Sequence, residues 1–295
     1  MILVELSGGI GNQMFQYAFA YVLAHKNNTN IKLEVSFFDL PKAISGHTPR
    51  NFELNIFPNS YNFSNSDDIN FFLQPSKCNQ LKKKFGLNYP KIYLETQFHF
   101  QQELATIKSS AFIKGYFQSY KYWNGLEDTV RKIFHINENK LDEINARLLF
   151  KIKNTNSIAV HIRRGDYITD SVTQQFHGNC SFEYYMNAIH FIASKTKNFT
   201  LVFFSDDSNW VQSQFEHIPF SKIFLSHNFD QNSWKDLYLM QYCQHNIIAN
   251  SSFSWWAAWL NQNPDKIVVA PKKWFAVSES EKNTNDLIPS EWFRM

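Results

Sequence analysis

Apolar and polar positions change their rhythm about halfway along the chain. From Ile158 onward, short apolar runs alternate with longer stretches of helical spacing. The runs Ile158 to Ile162, Thr200 to Phe204, Lys222 to Leu225, Asn246 to Ala249 and Lys266 to Ala270 predict strands. Between them, Phe182 to Lys195, Ser208 to Phe215, Ser233 to Gln244 and Phe253 to Gln262 predict helices, with Ser181 placed to cap the first. This alternation predicts a parallel sheet covered by helices on both faces.

The first half begins the same way. Ile2 to Leu6 predicts a strand, Ser7 to Asn12 a glycine-rich turn, and about Gln13 to Lys26 a helix with Met14, Tyr17, Ala18, Tyr21 and Val22 on one face. A strand follows at Ile31 to Val35. Between Phe37 and Gln102 the periodicity fades, and Pro41, Pro49, Pro58, Pro75 and Pro90 punctuate an irregular insertion with short helices. Ala111 to Gln118 predicts a strand, Leu126 to Phe134 a helix, and Asn137 to Lys153 a helix leading out of the first domain. The expected domains are therefore 1–155 and 156–295.

Composition narrows the function. The chain has 295 residues with a net charge of +3, too little basic excess for a nucleic-acid surface. Lys82, Lys83 and Lys84 beside Lys77 form the clearest local cluster, read as a solvated face with contact to anionic lipid as the alternative. Cys78, Cys180 and Cys243 are odd in number and far apart, which favours a reducing compartment over a disulfide framework. No charged leader and no apolar run of spanning length are evident, so the expectation is a cytoplasmic protein, at most peripheral to a membrane.

Chemistry concentrates where predicted strands end. The strand Ile158 to Ile162 delivers His161, Arg163 and Arg164 to its carboxyl end, where open α/β sheets bind ligands. Guanidinium groups match phosphate oxygens bidentately, and Arg163 is the first choice for that contact. Asp166 would hold Arg164, with Gly165 permitting the turn between them. Asp206 and Asp207 follow the next strand, one to read a ribose or base and the other to cap a helix. Asn250, Ser251, Ser252, Phe253 and Ser254 place hydroxyls and helix N–H groups after a further strand, a second anion site. Gly9 and Gly11 allow close backbone approach in the first turn, and Asn12 could both cap that helix and bond a ligand. Paired-carboxylate, zinc-protease, P-loop and nucleophile-elbow motifs are all missing from the sequence. A bound diphosphate would thus be neutralised by arginine and helix starts.

Four stretches carry a family resemblance: Gly8 to Ala18, His161 to Tyr167, Phe204 to Asp207, and Asn250 to Trp256. Together, in order and spacing, they resemble glycosyltransferase family 11, the α-1,2-fucosyltransferases, in its bacterial form. The resemblance implies a GT-B fold, an α/β architecture of two Rossmann-like domains facing across a cleft. It also implies inverting transfer of L-fucose from GDP-L-fucose to the 2-hydroxyl of a terminal β-galactoside, with no metal and no other cofactor. Carried over by position, Arg163 would hold the β-phosphate, His161 would line the nucleotide and Asp206 would face guanine or ribose. Ser251 to Ser254 would contact the diphosphate, and Asn12 would reach toward fucose. Asp166 matches the motif as a candidate base, Glu95 lies in the unmatched segment, and the base stays open. A different donor or linkage on the same fold, and a non-catalytic nucleotide- or glycan-binding module, are the alternatives.

Overall fold

The computed structural model describes residues 1–40, 50–74, 76–108, 110–165, 178–276 and 283–295. The chain divides into two compact units, Met1–His135 with Lys282–Ile288, and Ile136–Glu281 with Pro289–Met295. The sequence puts the boundary at 155, later than this division. Helix α6 (Glu143–Lys153) belongs with the second unit because Leu149 and Ile152 are buried there and Ser157 Oγ donates to Ile152 O at 3.1 Å.

The first unit is built on a parallel sheet of β1 (Ile2–Glu5), β2 (Ile31–Glu34), β3 (Lys91–Leu94) and β4 (Ala111–Lys114), in the order β2-β1-β4-β3. Ile2, Leu3 and Val4 are fully buried, as expected of a central strand covered on both faces. Helix α1 (Ile10–Asn27) is apolar around most of its circumference. Phe19 lies 4.5 Å from both Phe117 and Tyr122, ring centroid to centroid, and Phe15 lies 5.8 Å from Trp123.

The segment between 37 and 102 contributes more than an insertion. It forms α2 (Ser66–Leu73), α3 (Lys77–Lys84) and β3, an edge strand registered on β4 from Lys91↔Ala111 to Leu94↔Lys114. β3 escapes the sequence reading because it is four residues long and its side chains are half-buried or exposed, so no apolar run marks it. Helix α4 (Gln102–Ala105) and α5 (Glu127–Ile133) complete the unit.

The second unit carries the regular pattern. Its strands are β5 (Asn156–Ile162), β6 (Phe199–Ser205), β7 (Ser221–Phe224), β8 (His245–Ile247), β9 (Val268–Ala270) and β10 (Phe293–Arg294), all parallel in the order β10-β9-β8-β5-β6-β7. The helices are α7 (Phe182–Ala193), α8 (Ser208–Phe215), α9 (Trp234–Met240) and α10 (Ser252–Leu260). Ser181 caps α7 by accepting from Tyr184 N at 3.1 Å, as its sequence position predicts. β10 is unannounced in the sequence because its two residues are exposed.

Strand periodicity decides what each face of β5 does. Ile158, Val160 and Ile162 pack with Tyr185, Ile189 and Phe215 in one apolar cluster, which sends Ala159 and His161 to the other face. Trp255 and Trp256 of α10 are fully buried and Trp259 is nearly so, so these tryptophans are core. Among the described residues, no helix is long and apolar enough to cross a membrane.

Candidate active site

The order β10-β9-β8-β5-β6-β7 contains one reversal of direction. The chain runs outward from β5 through β6 to β7, then returns to the other side of β5 at β8 and runs outward again through β9. A crevice outside the carboxyl ends of the strands forms at such a switch point, and it is where open α/β sheets take their ligands. Here it falls between β5, which ends in His161 to Arg164, and β8, which leads through Ala249 and Asn250 into α10. The His161 ring lies 5.6 Å from the Phe253 ring, so the two motifs meet.

Arginine is positioned by aspartate. Arg163 Nη1 lies 2.9 Å from Asp206 Oδ2, and the other oxygen of Asp206 accepts the backbone N–H of Arg164 at 2.8 Å. The Arg164 guanidinium sits 3.7 Å above the Trp210 ring, with Nε 3.4 Å from Asp207 Oδ2. Asp207 also caps α8, accepting from Trp210 N at 3.2 Å. Register explains the arrangement: Ile162 pairs with Ser205, so the residues after each strand emerge side by side.

Asp166 lies outside the described residues. The organising role expected of it is filled, among the described residues, by Asp206 and Asp207. Asp206 therefore spends both oxygens on the arginine segment, a role the sequence reading had not given it. Gly165 has a reason other than a turn that only glycine can make. A Cβ there would stand 2.9 Å from Asp206 Oδ2, an atom pinned by Arg163.

His161 is 5% exposed, and burial pushes its imidazole down to about 4, helped by Arg163 and opposed by Asp206. It is neutral at neutral pH. Among the described residues its buried Nδ1 has no hydrogen-bond partner, and a ligand in the crevice could satisfy it.

On the β8 side the residues divide by role. Asn250 is a strut: its amide donates to Gly178 O at 3.1 Å and Trp274 O at 3.2 Å, and its Oδ1 faces Cys180 Sγ at 3.5 Å. Burial pushes the Cys180 thiol up to about 11. Tyr184 of α7 donates to Ile248 O at 2.7 Å, fixing the segment from below. Ser251 stands at the N-cap of α10 but makes no side-chain cap, so its hydroxyl is not spent on the helix. Ser254 donates to Ser251 O at 3.4 Å, while Ser252 and Phe253 form the first turn beside His161. The N–H groups of a helix start are suited to an anion.

The glycine turn belongs to the first unit and is satisfied internally. Gly8 has φ +72°, and a Cβ there would overlap the Asn12 side chain. Gly9 is the N-cap of α1, and the N–H of Ile10 donates to Glu53 Oε2 at 2.9 Å, so a protein carboxylate occupies the place an anion would take. Gly11 lies buried in the first turn. Asn12 Oδ1 accepts from Gln118 Nε2 at 2.8 Å, and Gln13 Nε2 donates to Gly8 O at 2.9 Å and Asn51 O at 2.8 Å. Glu95 accepts from Tyr116 N and Phe117 N at 2.8 and 3.0 Å. Sequence reasoning missed Glu53, Gln13 and Trp210. Glu53 sits 43 residues from its partner, and only a polar residue on a buried helix face hinted at Gln13.

A parallel sheet with aspartate-anchored arginines gathered at its switch point defines an α/β protein. The chain belongs to glycosyl transferase family 11, whose model matches residues 1–295, and it is accordingly a glycosyltransferase. The O-antigen biosynthesis glycosyltransferase WbnK of Escherichia coli is 36% identical over 95% of this chain and 97% of its own length. An alpha-1,2-colitosyltransferase of Escherichia coli is 32% identical over 100% of this chain and 99% of its own. A galactoside 2-alpha-L-fucosyltransferase of Caenorhabditis elegans is 30% identical over 52% of this chain and 43% of its own.

Proposed function

We propose that the protein transfers L-fucose from GDP-L-fucose to the 2-hydroxyl of a terminal β-galactoside with inversion and without a metal ion. The observation that carries the reading is the switch-point cluster: Arg163 paired with Asp206, Arg164 stacked on Trp210, and the start of α10, whose N-cap Ser251 makes no side-chain cap, beside neutral His161. A guanidinium and helix N–H groups are suited to a diphosphate whose charge grows as the sugar departs. The C1–O bond to the β-phosphate breaks, the acceptor oxygen bonds to C1 from the opposite face, and its hydroxyl proton is released. Arginines and aspartates balance in this cluster, so selectivity would come from the placement of donors, not from bulk positive potential.

The likeness to an alpha-1,2-colitosyltransferase along the whole chain supports a second donor, a GDP-linked sugar lacking the 3-hydroxyl of fucose. A site that hydrogen-bonds that hydroxyl rejects the deoxy sugar strongly, whereas an apolar site discriminates weakly. Incubation with each GDP-sugar and lactose, with and without EDTA, followed by product NMR, separates the readings. The expected outcome is a 2-O-fucosyl product unaffected by EDTA. Turnover of the deoxy donor alone would replace fucose, and loss of transfer under chelation would remove the metal-free mechanism. Arg163→Ala should lower kcat/KM by at least about 30-fold, the equivalent of ~2 kcal/mol. An unchanged rate would take Arg163 out of the reaction.

A further inference from the structure

Between Ile69 and Leu94 the sequence holds five lysines, Lys77, Lys82, Lys83, Lys84 and Lys91, and no aspartate or glutamate, in a chain whose whole net charge is +3. Among the described residues, none of Lys77, Lys82, Lys83 and Lys84 pairs with a carboxylate. The same stretch is apolar at its surface. Seven of the fifteen exposed large hydrophobic residues among the described ones lie between Phe71 and Leu94, with Phe85 71%, Leu87 58%, Leu73 57% and Leu81 56% exposed.

The geometry concentrates them. Leu81 of α3 and Phe85 at its C-cap are one helical turn apart on the side away from buried Asn79, with Lys77 and Lys84 one turn before and after Leu81. The helix closes with Gly86 at φ +67°, where Gly86 N bonds Lys83 O at 3.2 Å and Leu87 N bonds Lys82 O at 2.9 Å. That motif normally tucks the residue in Leu87's place against its own helix, yet Leu87 is exposed, as is Phe85. Phe71, Lys82, Tyr89 and Lys108 line one recess of about 450 Å³ next to it. The Lys91 ammonium rests 4.7 Å from the Tyr89 ring centre. Apolar tips, a basic rim and a tyrosine at the boundary form the pattern of a surface that lies in a bilayer interface.

We propose that α3 and the turn after it dock the protein on anionic membranes, Leu81, Phe85 and Leu87 entering the acyl boundary and Lys82 to Lys84 meeting lipid phosphates. Charge complementarity selects this occupant: a second copy would bring the same uncompensated lysines face to face. None of these residues belongs to the switch-point site, so nucleotide binding serves as the control for folding.

The test is sedimentation of the full chain with vesicles of phosphatidylcholine, with and without phosphatidylglycerol. Binding is expected only to the anionic vesicles, weakening as salt rises. Neutralising Lys82, Lys83 and Lys84 to Gln should reduce partition on the order of a hundredfold. Changing Leu81, Phe85 and Leu87 to Ser should abolish it at moderate salt, with GDP binding unchanged in both variants. Leu87→Trp should shift its emission to the blue when anionic vesicles are added. Absence of binding to anionic vesicles, or binding that neither variant weakens, overturns the proposal. So does a concentration-dependent dimer that the Ser variant dissolves in a protein that ignores vesicles.

Discussion

Single residues in the switch-point cluster act through one carboxylate. Asp206 accepts from the Arg164 backbone and pairs with Arg163, and Gly165 leaves it room. Gly165→Ala should therefore displace Asp206 and misdirect Arg163 with little change in melting temperature. GDP affinity, read by calorimetry, should fall about tenfold, or ~1–2 kcal/mol. His161 offers a separate handle. Its folded pKa of about 4 lies below the ordinary 6.5, so the unfolded chain binds more protons between those values. Its contribution to stability is complete above about pH 6.5 and declines as the pH falls toward 4. Urea unfolding of His161→Gln at several pH values should show a shallower loss on acidification than the parent protein. Arg163, His161 and the Asn250 segment were all legible in the sequence, because His161 lies at the end of an apolar run and the other two directly follow one. Trp210 and the double engagement of Asp206 were not, since they depend on β6 lying beside β5.

At the scale of elements, α6 and α9 are joined by a buried polar network. Asn145 of α6 exchanges amide hydrogen bonds with Asn228 at 2.8 and 3.0 Å, and Asn228 donates to Asp236 of α9 at 2.7 Å. Burial pushes the Asp236 carboxyl up to about 7. The folded protein then holds a proton more tightly than the unfolded chain, so this contribution is present below about pH 4 and is lost as the pH rises through about 7. Asp236→Asn keeps an acceptor for Asn228 and removes the ionisation. It should be more stable than the parent near pH 8, with the difference narrowing as the pH falls and closing only below about pH 4, measured by thermal melts. The slopes from His161 and Asp236 oppose each other across the same window, which is why variants, not the wild-type curve alone, expose either. Helix periodicity placed most helices of this unit to within a few residues. β3 and β10 escaped because short exposed edge strands carry no apolar signature.

For the molecule as a whole, the two units are not consecutive lengths of chain. Residues 283–288 return to the first unit before Pro289–Met295 completes the second. Asp286 anchors this return by pairing with Lys121 and accepting the N–H of Phe100 at 3.2 Å. Asp286→Ala should cost ~1–2 kcal/mol, as for a part-buried donor left without its acceptor. Faster hydrogen exchange at the Phe100 amide would localise the loss. The sequence by itself determined the alternating α/β pattern, the residues at the strand ends and the family, because strand and helix periods and motif spacings are local quantities. Only the tertiary structure decided that β8 lies on the far side of β5 from β6, that Glu53 fills the anion position at the start of α1, and that Asp206 holds the arginines. Each of these depends on which distant segments become neighbours, and that follows from how two whole sheets bury their faces, not from any one stretch of chain.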